Sequence, residues 1–234
     1  MQCHVLSFEG PDGYARIGGL ATRVEGLCES LTGIGFETHL WFVGDPTLPG
    51  HERRGGLHLH RWCQWLSGYH RAGVYDGEDA KRSDYAASLA PFLCREVLLP
   101  HLRAGGRSLI LAEEWQTAHA VLHLHGLLQR EGLLSQVQIL WNANNTFGFQ
   151  QVPWEPLARA AVITTVSRYM KHRMQEFAVE AFVIPNGLSP VAFDRPDRAV
   201  VTGLRARFRD RTLLAKVARW DPHKRWHETV DAVC

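Results

Sequence analysis

The sequence predicts an α/β protein: a Rossmann-like, mostly parallel sheet with helices on both faces, followed by the start of a second domain. Three observations predict it. Short apolar runs alternate with longer segments of helical period, as in a parallel sheet covered by helices. The turn after the first apolar run carries a glycine pair, Gly18-Gly19, that opens a helix. Composition is globular over 234 residues, 45% hydrophobic and 21% charged, which is ample for a buried core.

Each element follows in order. Cys3 to Phe8 reads as the first strand. Leu20, Val24, Leu27 and Leu31 recur at helical spacing, and Gly33 and Gly35 end that helix. Glu37 to Val43 is a second strand, closed by Gly44-Asp45-Pro46, and Leu57 to Arg61 a third. A connection rich in aromatic residues runs from Trp62 to Tyr75. Tyr85 to Leu102 has helical character, with Pro91 and Pro100 as expected breaks or kinks. Ser108 to Ala112 is a strand, Thr117 to Arg130 a helix, and Val137 to Trp141 a strand feeding a loop to Pro153. Val162 to Val166 is a strand, and Ser167 suits the N-cap of a helix through Phe177. Phe182 to Ile184 is a short strand stopped by Pro185-Asn186-Gly187. Residues 1–187 therefore form one domain, 188–197 a linker, and 198–234 the beginning of another. In that last part a helix from Ala199 to Arg209 precedes a strand at Thr212 to Val217.

Charge excludes some partners. The net charge is +2, with basic residues spread along the chain. The group Arg205, Arg207, Arg209 and Arg211 alternates around a helix rather than forming a stripe, so no nucleic-acid surface is expected. Cys3, Cys28, Cys63, Cys94 and Cys234 are odd in number and widely spaced, which suits reduced thiols in a cytoplasmic protein. No signal peptide and no membrane span are visible. No metal site is expected. His119 and His123 stand at i, i+4 without a third ligand, and His58 and His60 alternate on a strand.

The chemistry-bearing residues gather at a few loops. Gly18 and Gly19 leave backbone N–H groups open to an anion at a helix start, with Arg16 beside them. Arg219 and Lys224 lie five positions apart between the last apolar run and the last helix, and a phosphate suits that pair. Trp62, Trp65, Tyr69 and Tyr75 offer faces that can stack on a sugar ring or pack inward.

Arg16-Ile17-Gly18-Gly19-Leu20 resembles the lysine-x-Gly-Gly-Leu loop of glycogen synthases. Thr164-Thr165-Val166-Ser167, Ile184-Pro185-Asn186-Gly187-Leu188 and the Arg219/Lys224 spacing resemble further motifs of the same group, in the same order. The chain thus resembles the retaining glycosyltransferases with two Rossmann-like domains, the GT-B fold of the glycogen-synthase-like and family 4 group. The resemblance implies transfer of a sugar from a nucleotide sugar, as substrate rather than cofactor, to a carbohydrate acceptor, with retention. It implies that Arg16, Gly18, Gly19, Arg219 and Lys224 hold the donor phosphates. It places Glu114, Gln116, Asn144 and Asn145 near sugar or acceptor. Two departures stand out. Glu114-Trp115-Gln116 replaces an Asp-Trp-His, and Ala143-Asn144-Asn145 replaces an Ile-His-Asn. Each loses an imidazole. Gln116 and Asn144 can bond a hydroxyl but cannot act as a base.

The region that holds ribose and sugar in that group lies beyond residue 234, so this chain alone is expected to be inactive, with exposed strand edges open to self-association. The alternative reading is a non-catalytic module that binds sugar or phosphate.

Overall fold

In a computed structural model the described residues are 1–188, 193–209, 211–218, 220 and 222–233. They divide into two compact units, Met1–Leu188 and Ser189–Cys234.

The first unit is built on an eight-stranded sheet: β1 (Gln2–Leu6), β2 (Glu37–Val43), β3 (His51–Arg54), β4 (Leu57–Trp62), β5 (Ser108–Glu113), β6 (Val137–Ala143), β7 (Val162–Thr165) and β8 (Phe182–Val183). The order across the sheet is β3-β4-β2-β1-β5-β6-β7-β8, and every pair is parallel except β3–β4. Strand side chains alternate between faces, so neighbours along β1 and β2 enter different cores. Val5, Leu40, Phe42 and Leu59 pack on Val24 and Cys28 of α1 (Gly19–Gly33). Leu6, Trp41, Ile110 and Ile139 pack on the opposite face, with the helical run 78–103 and α6 (Ala118–Arg130). Two covered faces match the doubly wound expectation.

The helical run 78–103 corrects one expectation. Helices α3 (Glu78–Asp84), α4 (Ala90–Phe92) and α5 (Leu99–Arg103) are joined without a break by π-helical turns at Tyr85–Leu89 and Leu93–Leu98. Pro91 and Pro100 each fall within the first two residues after a π turn. The wider turn gives the ring room and relieves its clash with the preceding turn, so neither proline stops the helix.

Strand β3 was not anticipated. His51–Arg54 carries a histidine and three charged residues, and it forms because β4 supplies an antiparallel edge. Between β1 and α1 the chain loops through residues 7–18. Gly10 permits this path, since a Cβ there would stand 2.2 Å from the Phe42 ring. Asp12 pins the loop. Its carboxylate accepts from Arg61 Nε at 2.7 Å and Nη2 at 3.0 Å, with both side chains buried. Later in the unit, α2 (Gln64–Tyr69), α7 (Trp154–Ala160) and α8 (Arg168–Gln175) complete the layers. Ser167 caps α8 as anticipated, its hydroxyl accepting from Met170 N at 3.2 Å.

The second unit contains α9 (Arg198–Arg207), capped by Asp197, and α10 (Trp226–Asp231). Neither helix buries a residue. The strand expected at Thr212–Val217 is absent: these residues are irregular, and Leu213 and Leu214 are exposed. A strand needs a neighbour for its N–H and C=O groups, and none is present among the described residues of this unit. Across the described residues no helix is long and apolar enough to cross a membrane. Cys3, Cys28, Cys63 and Cys94 are buried free thiols, while Cys234 lies outside the described residues.

Candidate functional site at the C-terminal end of the sheet

Strands β5, β6 and β7 end together in a buried polar cluster. Glu113, the last residue of β5, is 1% exposed. Its Oε2 accepts from Arg23 Nε at 3.0 Å, Asn142 Nδ2 at 3.0 Å and Asn144 Nδ2 at 2.9 Å. Its Oε1 accepts from Arg23 Nη2 at 3.1 Å. Asn142 Oδ1 accepts from Thr164 Oγ1 at 3.0 Å, which ties in β7. Arg23 reaches from α1 and also donates to Asn186 in the turn after β8. A carboxylate with this many donors, one a guanidinium, is fixed in place rather than free to react.

Glu114 is different. It is 3% exposed, and its backbone has φ 68° and ψ 165°. That region is almost reserved for glycine and costs about 1–3 kcal/mol. The conformation persists because its surroundings hold it. Glu114 N donates to Asn142 O at 2.9 Å, and Glu114 O accepts from Thr117 N at 3.1 Å and Thr117 Oγ1 at 2.8 Å. The side chain accepts from Asn144 N at 2.7 Å. Burial pushes its carboxyl up to about 8, against the hydrogen bonds from Asn144 and with help from the nearby Glu113 charge. At neutral pH it carries its proton mostly on, and offers an O–H donor.

Gln116 follows on the turn before α6. Its Nε2 donates to Glu78 Oε1 at 2.8 Å, while its buried Oε1 has no hydrogen-bond partner. Asn145 Oδ1 accepts from Phe147 N at 2.7 Å and shapes the local turn. Four of the anticipated residues, Glu114, Gln116, Asn144 and Asn145, thus lie at neighbouring strand ends, with Glu114 bonded to Asn144.

The glycine loop stands at the end of β1. Gly18 and Gly19 are exposed, and a Cβ at Gly19 would meet nothing within 4 Å. The reading of two open N–H groups needs correction at Gly18. Glu9, 4% exposed, accepts from Gly18 N at 3.0 Å and Ala21 N at 3.1 Å through Oε2. This internal carboxylate fills the position an anion would take at the start of α1. Its other oxygen accepts from Tyr75 O–H at 2.7 Å. Burial pushes the Tyr75 phenol up, and the charges of Glu9, Glu114 and Glu78 add to it. Arg16 is exposed and paired with Glu25 at 2.7 Å. Of the other aromatics, Trp65 and Tyr69 are exposed, whereas Trp62 packs edge-on to Trp41.

In the second unit Lys224 is exposed, and its carbonyl accepts from Lys216 Nζ at 2.5 Å. Arg219 lies outside the described residues. Glu9, Arg23, Glu113 and Asn142 were not anticipated as site residues. The pair Glu113-Glu114 at the end of an apolar strand was the available signal, because a parallel sheet places its functional groups at such ends.

No family model matches the sequence, and a search of curated proteins by sequence finds no match. Solved structures do match. The catalytic domain of starch synthase IV from Arabidopsis thaliana, bound to ADP and acarbose, aligns over 99% of this chain and 65% of its own, with TM-score 0.64 and 14% identity. A sucrose-phosphate synthase from Thermosynechococcus elongatus aligns over 88% of this chain and 98% of its own, with TM-score 0.54 and 14% identity. The α,α-trehalose 6-phosphate synthase of Burkholderia multivorans gives TM-score 0.52 at 16% identity, covering 94% of this chain and 56% of its own. The fold is that of the GT-B glycosyltransferases, and the chain spans about two thirds of the starch synthase chain.

Proposed function

We propose that this chain is the acceptor-side domain of a glycosyltransferase, with the beginning of its donor-side domain, serving transfer of a sugar from a nucleotide sugar to a carbohydrate acceptor with retention. The observation that carries the reading is the strained and buried Glu114, its carboxyl pushed up to about 8, beside the fixed Glu113 at the C-terminal end of the sheet in a GT-B fold. Strain and a displaced carboxyl pKa concentrate where a protein does chemistry. Glu114 donates its proton in a hydrogen bond to a sugar hydroxyl. Gln116 Oε1, buried without a partner, accepts from a second hydroxyl. Asn144 and Asn145 complete the contacts. Glu113 and Arg23 are positioning residues that hold Asn142 and Asn144. In the first unit Arg16 and Gly19 bind phosphate, and in the donor-side domain that begins in the second unit Arg219 and Lys224 do so.

A second reading is favoured by Glu9. Its carboxylate already occupies Gly18 N–H and repels a phosphate there. On this reading the chain binds sugar without a nucleotide.

The test is calorimetry of the purified chain with ADP, UDP and GDP, their glucose conjugates, and malto-oligosaccharides, together with an assay for nucleoside diphosphate release. We expect oligosaccharide and nucleotide each to bind at about millimolar strength, on the order of 4 kcal/mol. Gln116→Ala should weaken the oligosaccharide about tenfold, and Arg16→Ala the nucleotide. Oligosaccharide binding without nucleotide binding selects the second reading. Failure of the chain to bind either ligand overturns both.

A further inference from the structure

Away from that site, five histidines from four strands gather on one face of the sheet. His4 on β1 stands opposite His39 on β2, which stands opposite His58 on β4. His60, two residues along β4, points to the same face as His58, and His51 on β3 stands opposite it. Their rings form a stack. The His4–His39 centroids are 4.7 Å apart, His39–His58 4.5 Å and His51–His60 4.8 Å. Trp41 closes the stack on His60 at 3.7 Å.

Stacking alone does not explain the nitrogens. One ring nitrogen from each of His39, His58 and His60 lies within 4.8 Å of the other two. His39 Nδ1 meets His60 Nε2 at 3.0 Å, but His39 Nε2 is buried and has no hydrogen-bond partner. An orphaned buried nitrogen costs free energy unless something satisfies it. The nearest carboxylate, Glu37 on the same face of β2, places Oε1 3.8 Å from His39 Nε2 and 3.9 Å from His58 Nε2. Ligands on a tetrahedral zinc with bonds of about 2.0–2.1 Å stand about 3.4 Å apart. The carboxylate distances have to close by about 0.4–0.5 Å and the ring nitrogens, up to 4.8 Å apart, by as much as about 1.4 Å, which is about 0.7 Å per side chain and takes a turn of the rings about their χ angles.

We propose that His39, His58 and His60, with Glu37, form a binding site for a divalent transition-metal ion of the zinc class. Three imidazoles and one carboxylate are a donor set that suits Zn²⁺ and its neighbours rather than Mg²⁺ or Ca²⁺. His58 and His60 are only partly buried, so an ion can enter from the β4 side. His4 supports the site from behind. Its ring stacks on His39, and its Nδ1 accepts from Trp41 Nε1 at 3.3 Å. Such an ion clamps β2 to β4, and through β4 the antiparallel edge strand β3. The site is independent of the proposed glycosyl chemistry.

The experiment titrates ZnCl2 into chelator-treated full chain by calorimetry, and follows CoCl2 binding by visible absorption. We expect one ion per chain at micromolar affinity or tighter, and a tetrahedral Co²⁺ spectrum without thiolate charge-transfer bands. Zinc at about a hundred times its Kd should raise Tm by about 5 °C or more. His58→Asn and His60→Asn should each weaken binding at least about tenfold. A His119→Asn/His123→Asn variant, altered on α6, should bind as the parent does. Thiolate bands in the parent protein, no stoichiometric binding, or unchanged affinity in both folded strand variants would overturn the proposal. The cobalt spectrum needs no substitution, so it decides the matter even where a variant fails to fold.

Discussion

At the end of β5, burial lifts Glu114 to about 8; within β2 and β4 it drops His39 to about 4 and His60 to about 3. The cause is shared, since a poorly solvated site disfavours whichever form is charged. The consequences are opposite. Glu114 keeps its proton and the imidazoles refuse theirs. The supporting structure differs too. Around Glu113 the polar atoms are bonded, its carboxylate accepting from Arg23 and from two amides. On the histidine face ring stacking does the holding, and His4 Nε2 and His39 Nε2 are left without partners. One region is a polar network filled around Glu113 and open at Gln116 Oε1; the other leaves two ring nitrogens unfilled. A network with its bonds filled resists change, whereas orphaned nitrogens mark where something further can bind.

The largest test of this contrast removes the centre of the completed network. Glu113→Ala leaves Arg23 without its carboxylate in a place where its side chain is 16% exposed. Two amides lose an acceptor as well. The expected cost is about 3–5 kcal/mol, the usual penalty for breaking a buried pair from one side. Urea denaturation measures it. A loss below about 1 kcal/mol means that the strand ends are held by packing and that the contrast is misdrawn.

The next test concerns titration. A carboxyl raised to about 8 in the folded chain contributes stability that is fully present below its unfolded pKa and is lost as pH rises through 8. Glu114→Gln keeps the acceptor for Asn144 N and removes the proton. The variant should therefore lose the decline between about pH 5 and 8, and at pH 8.5 exceed the parent by about 2–4 kcal/mol. Denaturation midpoints across that range give the result. Parallel pH profiles for the two proteins would place the carboxyl in a wetter site than its burial implies.

Much of this architecture could be read from residues, and the failures have physical causes. Strand β2 was read with both ends correct, because an apolar run between Gly35 and Gly44 leaves little choice. The helical run 78–103 was misjudged at Pro91 and Pro100, since a π turn is a local widening with no residue signature of its own. At Thr212–Val217 strand propensity was real and the neighbouring strand was missing. Propensity describes fit to a sheet and cannot supply the sheet. Site residues divide in the same way. Glu114 and Asn144 are reached through the resemblance of their short segments to known motifs, whereas Glu9 carries no such signal, because only the closed loop brings it to Gly18. The histidine face was dismissed for a similar reason. His58 and His60 are visible as an alternation, but His39 joins them only through the register Thr38 to Leu57, which depends on strand order. Long-range pairing is the part of a fold that local sequence carries least.

The smallest test returns to the histidine face, where the sign reverses. A His60 pKa lowered to about 3 means stability that is present above the unfolded value near 6.5 and is lost as pH falls toward 3. Between those limits the unfolded chain takes up a proton that folded His60 refuses. His60→Phe preserves an aromatic ring over Trp41, now at 3.7 Å between centroids and nearly coplanar, and takes away the titrating nitrogen. The stability lost between pH 7 and pH 5 should shrink by about 1–2 kcal/mol. The remaining slope belongs to His39, His58 and His4, whose pKa values are lowered by the same burial. Metal-free protein is required, because a bound ion would itself compete with protons and steepen the profile. If His60→Phe and the parent lose stability equally on acidification, His60 is not held neutral by the fold. The two ends of the sheet would then differ only in the sign of one carboxyl.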